Sequence, residues 1–170
     1  MNSMYNVHFI QHDKLTQAVL DEIIKVKTVA WPFSYDQQCE WMTNNLKNSD
    51  VHVLLFDGEK VIAYLNLIKI EMEIDSVKLK GFGIGNVCAI EKGKGWGKEL
   101  MLKVNQYLHE NNDVGLLFCK DKLMKFYSEN NWTLVTDQQL EISNINSQIY
   151  TFAYNIPKNF KLLQYEGILF

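Results

Sequence analysis

A chain of 170 residues with 47% apolar and 22% charged residues has the size and composition of a single globular domain, here taken as 1–170. Two prolines and nine glycines exclude collagen-like and proline-rich chains, and no apolar run approaches the ~18 residues of a membrane-spanning helix. The formal charge is −3 and every one of the 17 cations is lysine, which argues against a nucleic-acid partner: such proteins need a basic footprint, and arginine is the usual reader of guanine. Without an apolar segment ahead of Asp13 and Lys14 no signal peptide is expected, so the default location is the cytoplasm, with no membrane partner. Cys39, Cys88 and Cys119 are odd in number and form no Cys-x-x-Cys pair, and are read as free, buried or partly buried thiols. His8 and His12 are four apart but lie on a strand end, so no metal is expected.

Val7–Ile10 reads as a short strand. From Lys14, apolar residues at Leu15, Ala18, Val19, Ile23, Val26 and Val29 share one helical face, and Trp31-Pro32 ends the helix. Ser34 or Asp36 can cap a second helix to about Leu46. Val51–Phe56, Asp57-Gly58 and Val61–Ile70 predict a hairpin, and a turn at Asp75-Ser76 leads into a long strand over Val77–Ala89. A helix then runs to about Glu110 with Trp96, Leu100, Met101, Val104 and Leu108 as its stripe. Val114–Cys119 is a buried strand, Lys122–Glu129 a short helix, Thr133–Val135 a strand, and Ile149–Tyr154 a strand after an Asn/Ser-rich loop. The order predicts an α/β (α+β) fold with a mixed, mostly antiparallel sheet, helices on both faces, and one parallel pair joined by a right-handed crossover from Val77 to Cys119.

Charge is uneven along this order. Residues 1–91 carry 8 Lys and 12 acids, residues 92–125 carry 7 Lys and 4 acids, and residues 126–170 carry 2 Lys and 4 acids. The basic stretch opens on Lys92-Gly93-Lys94-Gly95-Trp96-Gly97-Lys98, between a strand and a helix. A helix N-terminus leaves N–H groups unpaired, alternate glycines let a phosphate approach the backbone, and the lysines add charge, so the segment reads as a diphosphate cradle. It is not a Walker loop, because Glu99 follows Lys98, and its Gly-x-Gly-x-Gly spacing after antiparallel hairpins does not suit a dinucleotide fingerprint.

This loop resembles the acyl-CoA loop of the GCN5-related N-acetyltransferase (GNAT) superfamily, Arg/Gln-x-x-Gly-x-Gly/Ala, with Lys92 in the Arg/Gln place. A second motif agrees: Phe126-Tyr127, three residues, then Asn131-Trp132 is similar to the family's aromatic-Tyr-x3-Gly-Phe/Trp, with Asn131 in the glycine place. Asn suits it because a residue just past a helix often adopts left-handed angles, which Asn tolerates best after Gly. Phe33-Ser34, the long third and fourth strands and the tail after Glu166-Gly167 look, more narrowly, like the aminoglycoside 2′-N-acetyltransferase-like branch.

The resemblance covers Val7 to Phe170 and implies the acyl-CoA N-acyltransferase fold, its parallel pair splayed, and transfer of acetyl from acetyl-CoA to a primary amine by direct attack. It implies that Gly85, Asn86 and Val87 hold thioester and pantetheine, that Lys92, Gly93, Lys94, Gly95, Trp96 and Gly97 hold the diphosphate, and that Tyr127 protonates the leaving thiolate. The partner would be a small, cationic amine, with Asp36 and Glu166 as acceptor-binding acids and Trp31, Phe33, Tyr35 and Trp41 near it; the protein would be a monomer or homodimer. Glu71, Glu73, Asp36, Glu166 and the Phe170 carboxylate are candidate bases. The sequence departs from the pattern in having no acid between Asp75 and Glu91, and Lys120 where the family often has Asn. Gly81, Gly83 and Gly85 instead leave one strand face bare, as room for pantetheine or acceptor or as a site of tight packing. A peptide N-acetyltransferase and a non-catalytic CoA sensor stand as alternatives.

Overall fold

Side-chain caps set the first two helices. Thr16 Oγ1 accepts the Val19 amide and opens α1 (Gln17–Ala30). Ser34 Oγ accepts the Gln37 amide while the Gln37 side chain accepts the Ser34 amide, and this reciprocal box opens α2 (Tyr35–Asn45). Of the two cap candidates Ser34 is therefore the cap, and Asp36 sits in the first turn, where a carboxylate meets the positive end of the helix. The computed structural model describes residues 5–143 and 148–170, which divide into two compact units. The Asn/Ser-rich loop expected before the last long strand falls at 144–147, outside the described residues.

The first unit comprises 5–68 and Asn86–Lys103. Here β1 (Asn6–Gln11) runs antiparallel to β2 (Val51–Asp57), from Asn6↔Phe56 to Gln11↔Val51. β2 pairs antiparallel with β3 (Lys60–Ile74), from Val51↔Leu67 to Asp57↔Lys60, with a register shift at Leu55/Phe56. The register puts Gly58 and Glu59 in the turn, with Gly58 at φ +60°, one residue later than the Asp57-Gly58 expected. Every residue from Val61 to Ile68 is buried, which is why the run shows no alternation: both faces are covered. Ile23 and Val26 of α1 and Met42 of α2 share this core with Val53, Leu54, Tyr64 and Leu65.

The second unit comprises Lys69–Gly85 and Val104–Phe170. Here β3 does alternate, with Lys69 and Glu71 exposed and Ile70, Met72 and Ile74 buried. Asp75 and Ser76 both take positive φ, 50° and 67°, as a two-residue hairpin turn requires, and β4 (Val77–Ala89) follows. The Asp75 carboxylate also reaches across the chain: Oδ1 accepts the amides of Lys161 and Leu162 at 2.9 Å each, and the Asp75 N–H donates to Leu162 O at 3.0 Å. β4 runs parallel to β5 (Val114–Lys120), from Gly81↔Val114 to Ile84↔Leu117, with α3 (Trp96–Glu110) as the intervening helix. The remaining α-helix among the described residues is α4 (Met124–Glu129), entered through a 3-10 turn at Asp121–Leu123.

Three-residue β6 (Thr133–Val135) and β7 (Leu140–Ile142) follow, then β8 (Ile149–Tyr154) and β9 (Leu163–Tyr165). β5 and β6 each pair antiparallel with β8. β7 and β9 pair in parallel, and β9 lies antiparallel to β3 at Glu73↔Gln164. β7 and β9 were not expected from the sequence.

Candidate active site

The glycine loop has the geometry of an anion cradle. Glu99 N–H closes onto Gly95 O at 3.0 Å, so Gly95 caps α3, and the first N–H groups of this 15-residue helix have no intrahelical acceptor. Gly93 and Gly95 both take φ +79°, and a Cβ built on either would meet nothing within 4 Å. The backbone is thus bare and open where the helix dipole is positive. Lys92, Lys94 and Lys98 are exposed around it; Lys94 Nζ lies 3.6 Å from the Glu91 carboxylate, which offsets part of that charge. Trp96 Nε1 donates to Tyr5 Oη at 3.3 Å, so the indole is committed to the protein and Trp96 has only its backbone to offer a phosphate. Gly97 is partly buried.

In the same unit Asn86 interrupts β4 with φ +54°, a left-handed residue inside a strand, and Val87 beyond it is partly buried. Asn86 Nδ2 donates to Asn66 Oδ1 at 2.7 Å. Asn66 is fully buried, and its Nδ2 has no hydrogen-bond partner among the described residues. In register Asn66 faces His52, whose Nδ1 is 2.8 Å from Tyr64 Oη and whose Nε2 is 2.9 Å from Nδ1 of the partly exposed His12. Burial, reinforced by His12 and Lys27, pushes the His52 pKa down to about 3, so the ring is neutral. Lys27 is only 2% exposed, with Nζ 4.3 Å over the Trp41 ring, and burial pushes its pKa down to about 8. The buried Cys88 thiol is pushed up to about 12 for the same reason. Asn66, His52, Tyr64 and Lys27 did not figure in the sequence reading of the site; the available signal was a polar residue inside an apolar run, His52 in 51–56 and Asn66 in 61–70.

In the second unit Tyr127 lies on α4, 5% exposed, with Phe126 edge-on at 5.0 Å and Phe152 at 6.0 Å. Burial, with the Cys119 thiol nearby, holds its phenol well above the ordinary tyrosine range, so it keeps its proton. The helix ends as the motif implied. Asn131 takes φ +66°, Trp132 N–H reaches back to Tyr127 O at 3.1 Å and Asn131 N–H to Ser128 O at 3.2 Å, the paired bonds of a Schellman stop. Trp132 then enters the core, 3% exposed, donating to Asn105 Oδ1 at 2.9 Å, while Asn105 Nδ2 donates to Asn130 O at 2.8 Å.

The bare face of β4 is filled from within the unit. A Cβ on Gly81 would lie 2.2 Å from Val114 O, and one on Gly83 2.2 Å from the Phe170 ring; Gly85 is buried. Tight packing, the second of the two readings offered for this face, therefore describes Gly81. Asp36 and Glu166, the proposed acceptor acids, are both exposed, as is Glu71, while Glu73 is partly buried beside β9. Of the acceptor aromatics, Tyr35 Oη donates to Asp21 at 2.8 Å, Trp41 lies under Lys27, Phe33 is 56% exposed and Trp31 caps α1. An open pocket of about 390 Å³ is lined by Lys120, Asp121, Gln148 and Tyr150, none of them among the expected site residues. All three cysteines are free thiols, Cys88 and Cys119 buried and Cys39 partly so.

Residues 11–135 match the family model described as an acetyltransferase (GNAT) domain. The chain belongs to this family. It is an acyltransferase with the α/β acyl-CoA N-acyltransferase fold. Among solved structures, ElaA of Escherichia coli is 20% identical, covering 88% of this chain and 99% of its own, with a TM-score of 0.61. An acyl-CoA N-acyltransferase from Pseudomonas aeruginosa is 18% identical over the same shares, with a TM-score of 0.62. The GNAT family N-acetyltransferase YhbS of Escherichia coli, solved in complex with CoA, is 12% identical, covers 95% of this chain and 89% of its own, and has a TM-score of 0.63. Likeness at this level of identity concerns the fold; the particular site residues of this GNAT chain rest on its own geometry.

Proposed function

We propose that this chain is an acetyl-CoA-dependent N-acetyltransferase that acetylates a primary amine of a small, cationic acceptor by direct attack, working in the cytoplasm as one domain over 1–170. The observation that carries the reading is the pair of left-handed glycines, Gly93 and Gly95, with open space at both Cβ positions ahead of α3. That cradle fits a diphosphate: N–H groups of Gly93–Gly97 would bind its oxygens, and Lys92, Lys94 and Lys98 would add charge. Backbone groups of Gly85, Asn86 and Val87 would hold the pantetheine and thioester, Asn86 being the left-handed residue of the strand at φ +54°.

Acetyl-CoA supplies an activated acetyl thioester. Tyr127 would hold a proton at Oη and give it to the leaving thiolate; an ordinary phenol has a pKa of about 10, close to that of an alkyl thiol, whereas burial raises that of Tyr127, so the phenol is fully protonated but a weaker acid than the thiol it would form. Asp36 and Glu166 would draw the ammonium of the acceptor, which must lose a proton before it attacks. The narrower likeness to aminoglycoside 2′-N-acetyltransferases bears on the acceptor and makes aminoglycosides and polyamines the first amines to screen. The three free thiols suit a reducing compartment.

The test is calorimetric titration with acetyl-CoA, ATP and NAD, using wild type and Gly95→Glu. A Cβ at Gly95 meets nothing within 4 Å, so the new side chain sets a negative charge in the cradle, at a cost of about 1–2 kcal/mol for holding an L-residue at φ +79°, and circular dichroism of the variant checks that it folds. Wild type should bind acetyl-CoA alone, and Gly95→Glu should weaken that binding at least ~100-fold, in keeping with a lost charge-assisted site. Equal binding by the two proteins would refute the loop assignment.

A further inference from the structure

We propose that the Gly83 face of β4 is a seat for an aromatic ring of the acceptor, which the ring of Phe170 occupies in this structure. The inference rests on the acyltransferase reading above and names the substrate class: an amine carrying an aryl group. A Cβ on Gly83 would lie 2.2–2.6 Å from Cζ, Cε1 and Cε2 of Phe170, so the far edge of that ring rests on strand backbone that only glycine leaves bare. The walls are aromatic. Phe118 lies 5.0 Å from Phe170 and tilted, Tyr165 lies 6.1 Å away and edge-on, and Phe118 and Tyr165 are 6.0 Å apart. These distances are those of favourable ring pairs. Phe118 follows by two the Leu116 that faces Gly83 in the β4–β5 register, so wall and floor share one face of the strand pair.

A permanent core is normally filled by the strand's own side chains. β4 does this on its other face with Phe82 and Ile84, 6% and 2% exposed, but offers none at Gly81, Gly83 and Gly85. The filling ring arrives instead on the segment Gly167–Phe170, in which Ile168 is 55% and Leu169 37% exposed, with Tyr165 Oη donating to Ile168 O at 2.9 Å. Phe170 itself is only partly buried. An incoming ring can therefore take its place, re-covering Gly83 while one partly exposed ring moves out. The exposed Glu166, just ahead of that segment, would supply the negative charge that an ammonium group on such a ligand needs.

The experiment titrates wild type and Phe170→Ala with 2-phenylethylamine and with n-butylamine, the same charge without the ring, by calorimetry, and follows the ring resonances of labelled phenylalanine in wild type. Wild type should bind 2-phenylethylamine at least ~10-fold more tightly than n-butylamine, with the Phe170 signals shifting on binding, because a seated ring buries far more apolar surface than a short alkyl chain. Phe170→Ala should gain a further ~10-fold for 2-phenylethylamine alone, since it no longer competes for the seat. Similar affinity of wild type for the two amines, or binding of the aromatic amine with Phe170 unmoved, would overturn the proposal; the wild-type arms decide it even where the variant does not fold. Acetyl-CoA turnover is read separately. Ring-selective binding without acetylation of any amine would count against the acyltransferase reading and leave the seat standing, whereas acetylation without ring selectivity would do the reverse.

Discussion

Lys27→Met should stabilise the protein at neutral pH and lose that advantage in alkali. The ammonium is 2% exposed, and burial depresses its pKa from 10.5 to about 8. At 1.36 kcal/mol per pKa unit this corresponds to ~3 kcal/mol of destabilisation wherever folded and unfolded lysine are both charged, that is, below pH 8. Between pH 8 and 10.5 the folded lysine is neutral while the unfolded one still binds a proton, so the penalty is relieved as pH rises through that window. Methionine fills nearly the same volume without charge but gives up the contact over Trp41, 4.3 Å from the ring and worth ~1–2 kcal/mol, leaving a net gain of ~1–2 kcal/mol at pH 7. Urea midpoints followed by circular dichroism at pH 7, 8, 9 and 10 measure both parts. A variant no more stable than wild type at pH 7, or one whose advantage stays constant from pH 8 to 10, would refute the reasoning and imply that the buried ammonium is compensated.

The other predictions concern Tyr127, Asn131 and Gly115. Tyr127→Phe should lower kcat ~10²-fold or more, the usual scale for a lost general acid, while leaving the acetyl-CoA Kd within a factor of two or so in calorimetry; unchanged turnover would remove the phenol from the chemistry. Asn131→Ala should cost ~1 kcal/mol in denaturation, because an alanine must be held at φ +66°, whereas Asn131→Gly should stay within ~0.5 kcal/mol of wild type. Gly115→Ala should cost ~2–3 kcal/mol: its Cβ would lie 2.5 Å from Trp132 Cη2 and 3.0 Å from Leu108, and the Trp132 ring, anchored to Asn105, has nowhere to retreat.

Those three sites also mark what could be read in the residues themselves. Asn131 and Trp132 were legible because local backbone chemistry decides them: a helix that stops needs a left-handed residue, and Asn is the second-best choice. Val77–Ala89 and the glycine loop were legible for a similar reason, since turn residues bound the strand and three glycines lead into the stripe of α3. β7 and β9 were not, because three-residue strands carry no period, and their pairing depends on partners such as Glu73↔Gln164, far apart in the chain. Lys27 was missed because lysine in an amphipathic helix is normally solvated, and nothing local tells that Trp41 and the strands cover it. The Phe170 ring on Gly83 was missed because the bare strand face announces a close approach without saying what approaches.

The Asp75 latch bears on how quickly the fold is lost. Its partners, Lys161 and Leu162, lie 86 and 87 residues away, so closing that loop costs ~4 kcal/mol of chain entropy beyond a constant before any hydrogen bond is gained. Such a contact is a poor nucleus and forms after the hairpin and the β4–α3–β5 crossover have already brought the chain together. Interactions made after the transition state leave the folding rate alone and act on the rate of escape from the native state. One carboxylate at a hairpin corner thus serves as a kinetic clasp on the chain at Lys161 and Leu162, lengthening the native lifetime more than it hastens folding.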